Sequence, residues 1–464
     1  MIKKIGFLLF VGMMLSVGTS VQAAESIMEI TREAGYTDAL EINQPKASII
    51  VDGTNGQILW EDNAEAVREP ASISKMMTVF LVFDAIKEGK LDLDTKIKAT
   101  ENDQKISQLY AISNNDIVAG VEYPVRELLK MVIVPSSNVA TVMLANTVSD
   151  NDAGAFVTRM NEKAQEIGMK DTAFYNCSGA SAVSFEGLYS PAGFDPNGSN
   201  TSTARDLASM VFFLIKDHPE VLEFTNQPKV TAMEGTPYQE TFETYNYSVP
   251  GAKYGFDGVD GLKTGSGPSS AFNYIATAKR GETRLIEVIL GVGDWSDQDG
   301  EYYRHPFGNA LLKKVFDEYE HQVLLPKGTH EIDGKTIQLE QDFYGVLKKK
   351  ETPKLTIQKN QVTLTNKSEQ LSDKMPKMAL SYKEANKEKE GLPATNQPSL
   401  LQRIKGYLLP SGLLLLGLVL FLLPTKRTQT GATRSSRKSS GAPLKIIGAL
   451  CVLAAIVLFI LTVK

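Results

Sequence analysis

Residues 70–83 read PASISKMMTVFLVF, and this stretch decides how the fold is interpreted. Pro70 predicts a helix start, because proline is pre-organised for the first helical turn. The run Met76–Phe83 is apolar on nearly every face of that helix, which is typical of a helix in the middle of a domain. Gly89 predicts the end of the helix. We therefore expect one central buried helix, with the polar residues of the stretch at its N-terminal end.

Predicted strands lie on both sides of a mostly helical region. Lys46–Asp52 and Gln57–Glu61 form a predicted hairpin around Asn55-Gly56, and Phe272–Lys279 with Thr283–Leu290 form a second one. The remaining predictions are helices at 125–134, from 139, from 203 and at 309–319, and a long surface loop at 178–202. This order predicts one α+β domain whose terminal strands share an antiparallel sheet.

The pattern changes after this domain, which we place at residues 24–321. Five short strand candidates lie between Val323 and Tyr382, and Asp333-Gly334 is a tight-turn signal. The pattern predicts a small all-β domain at residues 322–383. A charged and polar linker is predicted to follow at residues 384–405.

The N-terminus has the pattern of a secretory signal peptide at residues 1–23. Lys3 and Lys4 precede the apolar stretch Ile5–Val17, and Val21-Gln22-Ala23 is a small-residue cleavage site. The apolar stretch is short for a bilayer span, so we favour cleavage over an uncleaved membrane anchor.

Two apolar segments near the C-terminus predict a transmembrane hairpin. Residues 406–424 and 446–463 are each about long enough to cross a bilayer as a helix. The intervening loop, residues 425–445, carries six basic and no acidic residues, so the positive-inside rule places it in the cytoplasm. With the signal peptide, this predicts folded domains on the extracytoplasmic face of a membrane. A buried helical pair in a soluble domain is the alternative.

The predicted linker contains Leu392–Asn396, which resembles the LPxTG signal that sortases cleave. An apolar segment and basic residues follow it, as in such signals. However, Asn396 replaces the glycine, and a second apolar segment follows the basic residues. Whether the segment is a sortase site or a plain linker stays open.

Composition argues against several function classes. The formal net charge of −5, with basic residues clustered only near the C-terminal end, gives no reason to expect a nucleic-acid partner. Cys451 lies in an apolar segment and cannot plausibly pair with Cys177, so no disulfide framework is expected. The histidines lack metal-ligand spacing, so neither a zinc site nor a histidine-based triad is expected. They are His218, His305, His321 and His330.

The first of three short motifs, SxxK, supplies a nucleophile and a candidate base. A serine needs a base beside it to act as a nucleophile, and Lys75 lies on the same helix face as Ser72. Burial, the helix dipole and a second cation at Lys263 would lower the pKa of Lys75, so that its neutral amine can take the serine proton. The alternative is an ordinary helix start with a solvated lysine.

Two further motifs complete the set. Ser136-Ser137-Asn138 breaks two predicted helices, and such a turn can aim the first hydroxyl and the carboxamide into a cleft. Lys263-Thr264-Gly265 ends a glycine-flanked strand, where another backbone can approach and a carboxylate can bind. Alone, the first is most simply a helix cap and the second a weak signal. In this order the three motifs predict a site for acyl transfer through a serine ester.

In an exported chain, these motifs resemble those of low-molecular-mass penicillin-binding proteins of the D-alanyl-D-alanine carboxypeptidase family. The resemblance extends from Ile49 to Tyr382 and includes residues 70–78, 203–208 (TARDLA) and 260–265 (DGLKTG). It implies a penicillin-binding/β-lactamase-like transpeptidase domain, an antiparallel sheet with helices, followed by the small all-β domain. The insertion after Asn176 and the double C-terminal segment depart from the commoner family pattern.

The resemblance also implies a role for each matching residue. Ser72 would be acylated by the penultimate D-alanine of a stem pentapeptide, with Lys75 as base and Ser136 as proton donor to the leaving D-alanine. The substrate-binding residues that it implies are Asn138 for the substrate amide, Lys263, Thr264 and Gly265 for the terminal carboxylate with Arg304 assisting, and Ser266, whose backbone N–H forms an oxyanion hole with that of Ser72. The resemblance implies no metal and no organic cofactor.

The implied partners are peptidoglycan stem peptides, β-lactam antibiotics as covalent inhibitors, and a bacterial cell membrane reached through the C-terminal hairpin. Three alternatives stay open. A serine β-lactamase would need a carboxylate positioned for rapid deacylation. A peptidoglycan endopeptidase would use the same machinery. A catalytically silent wall-binding scaffold would use the fold alone.

Overall fold

The computed structural model describes residues 25–384, 411–420, 422 and 442–463. The predicted signal peptide, nearly all of the predicted linker with its sortase-like motif, and most of the basic loop lie outside these residues. The chain divides into two compact units, Met1–Glu384 and Ala385–Lys464.

The helices of the first unit surround a sheet and are numbered in chain order. They are α1 (Ile27–Glu33), α2 (Lys75–Lys87), α3 (Glu101–Ser107), α4 (Val125–Ile133), α5 (Asn138–Val148), α6 (Ala153–Glu166), α7 (Ala204–Asp217), α8 (Leu222–Thr225) and α9 (Gly300–Glu318).

The strands of the first unit fall into a larger N-terminal group and a smaller C-terminal group. The first group is β1 (Ala47–Asp52), β2 (Ile58–Asp62), β3 (Lys96–Lys98), β4 (Glu122–Pro124), β5 (Lys229–Ala232), β6 (Glu240–Glu243), β7 (Val259–Gly267), β8 (Ala271–Arg280) and β9 (Thr283–Val292). The second is β10 (Tyr319–Leu325), β11 (Gly328–Ile332), β12 (Lys335–Leu339), β13 (Phe343–Lys348), β14 (Leu355–Gln358), β15 (Gln361–Leu364), β16 (Ala379–Ser381) and β17 (Lys383–Glu384).

A five-stranded antiparallel sheet in the order β2-β1-β9-β8-β7 organises the larger domain. Both predicted hairpins are confirmed, as β1-β2 and β8-β9. The hairpins join because β1 pairs with β9, with Ile49 opposite Val288. The prediction of an α+β domain whose terminal strands share one sheet is therefore confirmed.

Helix α2 lies at the centre of the helical layer. Ten of its residues are buried, including every residue from Lys75 to Phe83, and the helix packs against α4, α5, α6 and α7. A 3-10 turn, Ala71–Ser74, leads into it. The predicted central buried helix is thus confirmed, and it carries the SxxK motif at its start.

Helix α9 is longer than predicted, because it starts at Gly300 rather than at Asn309. Pro306 and two glycines inside this segment weaken the helical signal in the sequence. Tertiary packing overrides that signal. A Cβ atom at Gly308 would lie 2.6 Å from Glu287 Oε1 and 2.9 Å from the Tyr274 ring, so the glycine permits the helix to lie close against the sheet.

The predicted surface loop 178–202 is only partly at the surface, so that prediction needs correction. The loop contains a short 3-10 helix, Ala182–Phe185. The side chains of Phe185 and Tyr189 are buried, with ring centroids 4.9 Å apart. The polar composition suggested solvent exposure, but the side chains of Ser178, Tyr189 and Asn200 instead bind backbone groups within the protein.

The C-terminal strands form the predicted small β domain, with short sheets and a hydrophobic core of their own. The backbone N–H of Ile58 donates to the Glu369 carbonyl at 2.8 Å, and the N–H of Leu371 donates to the Gly56 carbonyl at 2.9 Å. Arg205 of α7 pairs with Glu369 at 3.0 Å. The small domain therefore docks on the β1-β2 turn of the larger one.

The second unit contains helical residues 411–420 and the helix Ala442–Val463. These helices approach closely, because a Cβ at Gly417 would lie 2.9 Å from the Gly448 carbonyl oxygen. Within the described part of the chain, no helix combines the length and the apolar composition needed to cross a membrane. The transmembrane part of the fold prediction stays a prediction.

The packing of α2 predicts a large loss of stability when its core is truncated. Phe80 is fully buried in that helix, so we expect Phe80→Ala to lower the free energy of unfolding by about 3–5 kcal/mol. Chemical denaturation measures this change. Tyr110→Ala is the control, because Tyr110 is fully exposed and its loss should change stability by less than about 0.5 kcal/mol. Equal effects of the two substitutions would contradict the placement of α2.

Candidate active site

The predicted nucleophile and base lie together at the start of α2. Ser72 is in the 3-10 turn, and Lys75 is the first residue of the helix. The Nζ atom of Lys75 lies 3.0 Å from Ser72 Oγ. Since both side chains project from one face of the turn, the serine hydroxyl and the amine are in direct hydrogen-bond contact.

The amine of Lys75 has two further partners from distant parts of the chain. It donates to Asn138 Oδ1 at 2.9 Å and to the Ser178 carbonyl oxygen at 2.9 Å. A neutral amine has two N–H groups and one lone pair. When Asn138 and Ser178 hold the two N–H groups, the lone pair faces the Ser72 hydroxyl, which is the orientation that a base requires.

Burial shifts the protonation of this amine. Desolvation lowers the pKa of Lys75 to about 7, and the neighbouring Cys177 acts in the opposite direction. Burial also raises the pKa of the Cys177 thiol to about 11, so this thiol is uncharged at neutral pH. A substantial fraction of Lys75 is therefore neutral at pH 7 and able to accept a proton.

Ser136 occupies a strained turn between α4 and α5. Its φ of 63° is in the left-handed region, which non-glycine residues rarely adopt. Its neighbour Ser137 caps α5 by accepting from the Ala140 N–H at 3.2 Å. The Ser136 hydroxyl is buried and has no hydrogen-bond partner among the described residues. Of the two serines, Ser137 thus does the capping, and Ser136 is free for another role.

Asn138 is fixed between the base and a neighbouring loop. Its Oδ1 accepts from Lys75, and its Nδ2 donates to the Ser113 carbonyl at 2.8 Å. One N–H of the carboxamide is left for a substrate. The position therefore suits the predicted contact with a substrate amide. The contact between Asn138 and the base Lys75 was not predicted from the sequence.

The third motif lies on β7, an edge strand beside the nucleophile. Lys263, Thr264, Gly265 and Ser266 are consecutive on this strand. A Cβ at Gly265 would lie 2.5 Å from the Pro70 carbonyl oxygen and 3.0 Å from the backbone nitrogen of Ser72. The glycine thus allows β7 to pass directly beside the turn that carries the serine.

Two buried basic side chains lie along β7. The amine of Lys263 donates to the Thr264 carbonyl at 3.0 Å. Its pKa is held well below its ordinary value by burial and by the charges of Lys75 and Arg304. Arg304 of α9 donates from Nη1 to Ser266 Oγ at 2.9 Å and to the Asn273 carbonyl at 3.3 Å. Arg304 therefore lies against β7, the strand whose residues the resemblance implies for binding of the terminal carboxylate.

These residues surround one open cleft of about 280 Å³. Those that line it are Ser72, Ser136, Thr264, Gly265 and Ser266. The other four predicted residues, Lys75, Asn138, Lys263 and Arg304, are buried and contact that set or one another. The structure thus brings together all nine predicted site residues.

Sequence reasoning missed several groups at this site. The carbonyls of Ser113 and Ser178 hold Asn138 and Lys75, and main-chain groups carry no side-chain motif. Tyr245, Trp295 and Glu301 also line the cleft. Glu301 was missed because the glycine and proline residues in the first half of α9 hide the start of that helix in the sequence. In the described residues, no cluster of three or more histidine, cysteine, aspartate or glutamate side chains could hold a metal ion.

The fold and the site together define a penicillin-binding type of α+β domain, and comparisons with known proteins identify its family. Residues 35–294, more than half of the chain, match the family described as "D-alanyl-D-alanine carboxypeptidase". Residues 321–383 match a domain of unknown function. The chain therefore belongs to the D-alanyl-D-alanine carboxypeptidase family.

Among curated relatives, the chain is 28% identical over 280 residues to D-alanyl-D-alanine carboxypeptidase DacF of Bacillus subtilis, covering 60% of this chain and 64% of the relative. It is 30% identical over 266 residues to DacC of Escherichia coli, covering 57% of this chain and 59% of the relative. The match thus spans less than two thirds of the length of these relatives.

Solved structures show the same fold. Penicillin-binding protein 3 of Streptococcus pneumoniae, a peptidoglycan synthesis regulatory factor, superposes with a TM-score of 0.63 at 23% identity, over 73% of this chain and 98% of that one. Penicillin-binding protein 6B of Escherichia coli superposes with a TM-score of 0.55 at 26% identity, over 73% and 95%. These superpositions extend over more of the chain than the matches to the curated relatives do.

The environment of Lys75 predicts an unusual titration. We expect its Nζ resonance in NMR spectra to titrate with a midpoint near pH 7, because burial favours the neutral amine. Lys75→Met identifies the resonance, which must be missing from the spectrum of that variant. A midpoint above about 9, close to that of an ordinary lysine, would show that the amine is not desolvated.

Proposed function

We propose that this protein is a serine-type D-alanyl-D-alanine carboxypeptidase that removes the terminal D-alanine from peptidoglycan stem pentapeptides. The observation that carries the proposal is the 3.0 Å contact between the Lys75 amine and the Ser72 hydroxyl. Family membership agrees with this chemistry. The nearby strand that bears Lys263 and Thr264 supplies groups for the free carboxylate of such a peptide.

Acylation follows from the positions of these groups. Ser72 Oγ attacks the carbonyl carbon of the penultimate D-alanine while Lys75 takes its proton. The backbone N–H groups of Ser72 and Ser266 stabilise the oxyanion that forms. Ser136, whose hydroxyl has no other partner among the described residues, passes a proton to the leaving amine and receives one in turn from Lys75, which becomes neutral again. The C–N bond breaks, D-alanine leaves, and the rest of the peptide stays on Ser72 as an ester.

The cleft also accounts for substrate orientation and for turnover. Lys263 and Thr264 bind the terminal carboxylate, and Arg304 supports it through Ser266. Asn138 binds the substrate amide with its remaining N–H. Water then attacks the ester carbonyl, and release of the tetrapeptide restores the Ser72 hydroxyl. A β-lactam would acylate the same serine, because its strained amide presents a carbonyl and a carboxylate in a similar arrangement.

The proposed nucleophile can be tested by matched serine substitutions. We expect Ser72→Ala to abolish labelling by fluorescent penicillin and to lower release of D-alanine from a pentapeptide by about 10⁴-fold or more. Ser74→Ala is the control, since Ser74 lies in the same turn but its buried hydroxyl has no hydrogen-bond partner in the part of the chain that the structure describes. Labelling that survives in folded Ser72→Ala would refute the assignment. A wild-type protein that is labelled by penicillin but releases no D-alanine would favour the alternative that the protein is a serine β-lactamase.

We further propose that the C-terminal unit anchors the enzyme in the bacterial cell membrane as a helical hairpin, with the catalytic domain on the extracytoplasmic face. The apolar segments and the basic loop between them support this arrangement. Leu415, Leu422 and Leu450 are each more than half exposed, and an apolar surface of this kind is typical of a membrane contact.

Removal of everything after Ser399 tests the anchor. We expect the truncated protein to be soluble and still labelled by penicillin, because the catalytic domain lies wholly within the first unit. The full-length chain should instead sediment with membranes in fractionation and require detergent for release. A truncated protein that still partitions with membranes would contradict the hairpin.

A further inference from the structure

The segment Tyr175–Gly179 is held in an unusual way. The N–H groups of five consecutive residues each donate to a side-chain oxygen rather than to another part of the backbone. Asn200 Oδ1 accepts from residues 175 and 176 at 2.7 and 3.1 Å. Asn176 Oδ1 accepts from residues 178 and 179 at 3.1 and 2.6 Å. Between them, the hydroxyl of Tyr189 accepts from residue 177 at 3.1 Å.

The carbonyl groups of this segment contact helix α2. Thr78 Oγ1 donates to the Cys177 carbonyl at 2.6 Å, and Lys75 donates to the Ser178 carbonyl at 2.9 Å. Each carbonyl shares its peptide plane with the N–H group of the next residue. Because Asn176 Oδ1 holds the N–H groups of Ser178 and Gly179, the two peptide planes cannot turn without breaking these bonds. The direction of the Ser178 carbonyl is thus set by Asn176 and its neighbours.

The two asparagines also brace each other. Asn200 Nδ2 donates to the Asn176 carbonyl at 3.1 Å and to Asn176 Oδ1 at 3.3 Å. Both residues are almost completely buried. The Nδ2 atom of Asn176 has no hydrogen-bond partner among the described residues, so its oxygen is the atom that matters. Burial of a carboxamide whose N–H groups have no partner costs free energy.

We propose that Asn176 and Asn200 are positioning residues that act through the Ser178 carbonyl on the amine of Lys75. The inference rests on the proposed function and adds to it a second layer of groups around the base. The titratable groups that face Lys75 are the Cys177 thiol of the same segment and Lys263 on β7. The buried part of the loop 178–202, which contributes Tyr189 and Asn200, thereby becomes a brace for the base.

Two substitutions at one position separate positioning from stability. Asn176→Ala removes the acceptor of two N–H groups, so we expect acylation of the full-length chain by benzylpenicillin to slow at least about tenfold. Asn176→Asp keeps an oxygen acceptor, so we expect the rate at high pH to return to within about threefold of wild type. The added negative charge near Lys75 should shift the acidic limb of the pH–rate profile to higher pH.

A neighbouring asparagine provides the matched control. Asn161 Oδ1 accepts from the Phe174 N–H at 2.8 Å, and its Nδ2 donates to the Phe174 carbonyl at 2.8 Å. It therefore fixes the chain one residue before the segment that holds Lys75. Asn161→Ala should lower the thermal midpoint but leave the acylation rate within about threefold of wild type, with an unchanged pH profile.

The outcomes decide the inference separately from the proposed function. Asn176→Ala that is acylated at the wild-type rate overturns it, as does equal slowing in folded Asn161→Ala or failure of Asn176→Asp to restore the rate. If Asn176→Ala does not fold, Asn200→Ser replaces it with the same expected slowing, and a wild-type rate in that variant is equally decisive. A wild-type protein that benzylpenicillin does not acylate would overturn the proposed function itself.

Discussion

The buried amine of Lys75 is the constraint on which the site depends. A lysine can be excluded from water only where acceptors replace its hydration, because an unsatisfied buried charge is very costly. Here the hydrogen-bond partners of the amine are Ser72 Oγ, Asn138 Oδ1 and the Ser178 carbonyl. These residues belong to three separate parts of the chain, so satisfying one amine requires that the start of α2, the start of α5 and the segment after Asn176 meet.

Close approach of backbones on either side of the nucleophile is the second constraint. A Cβ at Gly179 would lie 1.9 Å from the Ala71 carbonyl oxygen, and a Cβ at Gly265 would lie 2.5 Å from that of Pro70. Gly179 also has a φ of +90°, which side chains disfavour. The turn that carries Ser72 is therefore enclosed between a loop and an edge strand. A larger residue at either glycine would push the two backbones apart. Ser72 would then move relative to the rest of the site.

The sequence could predict the parts of this arrangement that have a local signal. The uniform apolar character of Met76–Phe83 predicted a buried helix, and the spacing of Ser72 and Lys75 predicted their contact. It could not predict the role of Ser178, because a carbonyl group carries no residue-type signature. The start of α9 was missed for a different reason: Gly308 weakens a helix locally but allows its packing against the sheet, and tertiary packing prevailed.

The electrostatics of the site connect the base to the substrate proposed for it. Lys263 has a pKa well below its ordinary value because it is buried near Lys75 and Arg304. In their protonated forms these groups repel one another in a medium that screens charge poorly, and this repulsion favours the neutral amines. A bound carboxylate supplies the missing negative charge at β7 and favours the protonated form of Lys263. Substrate binding therefore favours a cation at Lys263 beside the carboxylate, whereas Lys75, held by Asn138 and Ser178, acts as the neutral base. On this argument the site separates the roles of its two lysines through the substrate itself.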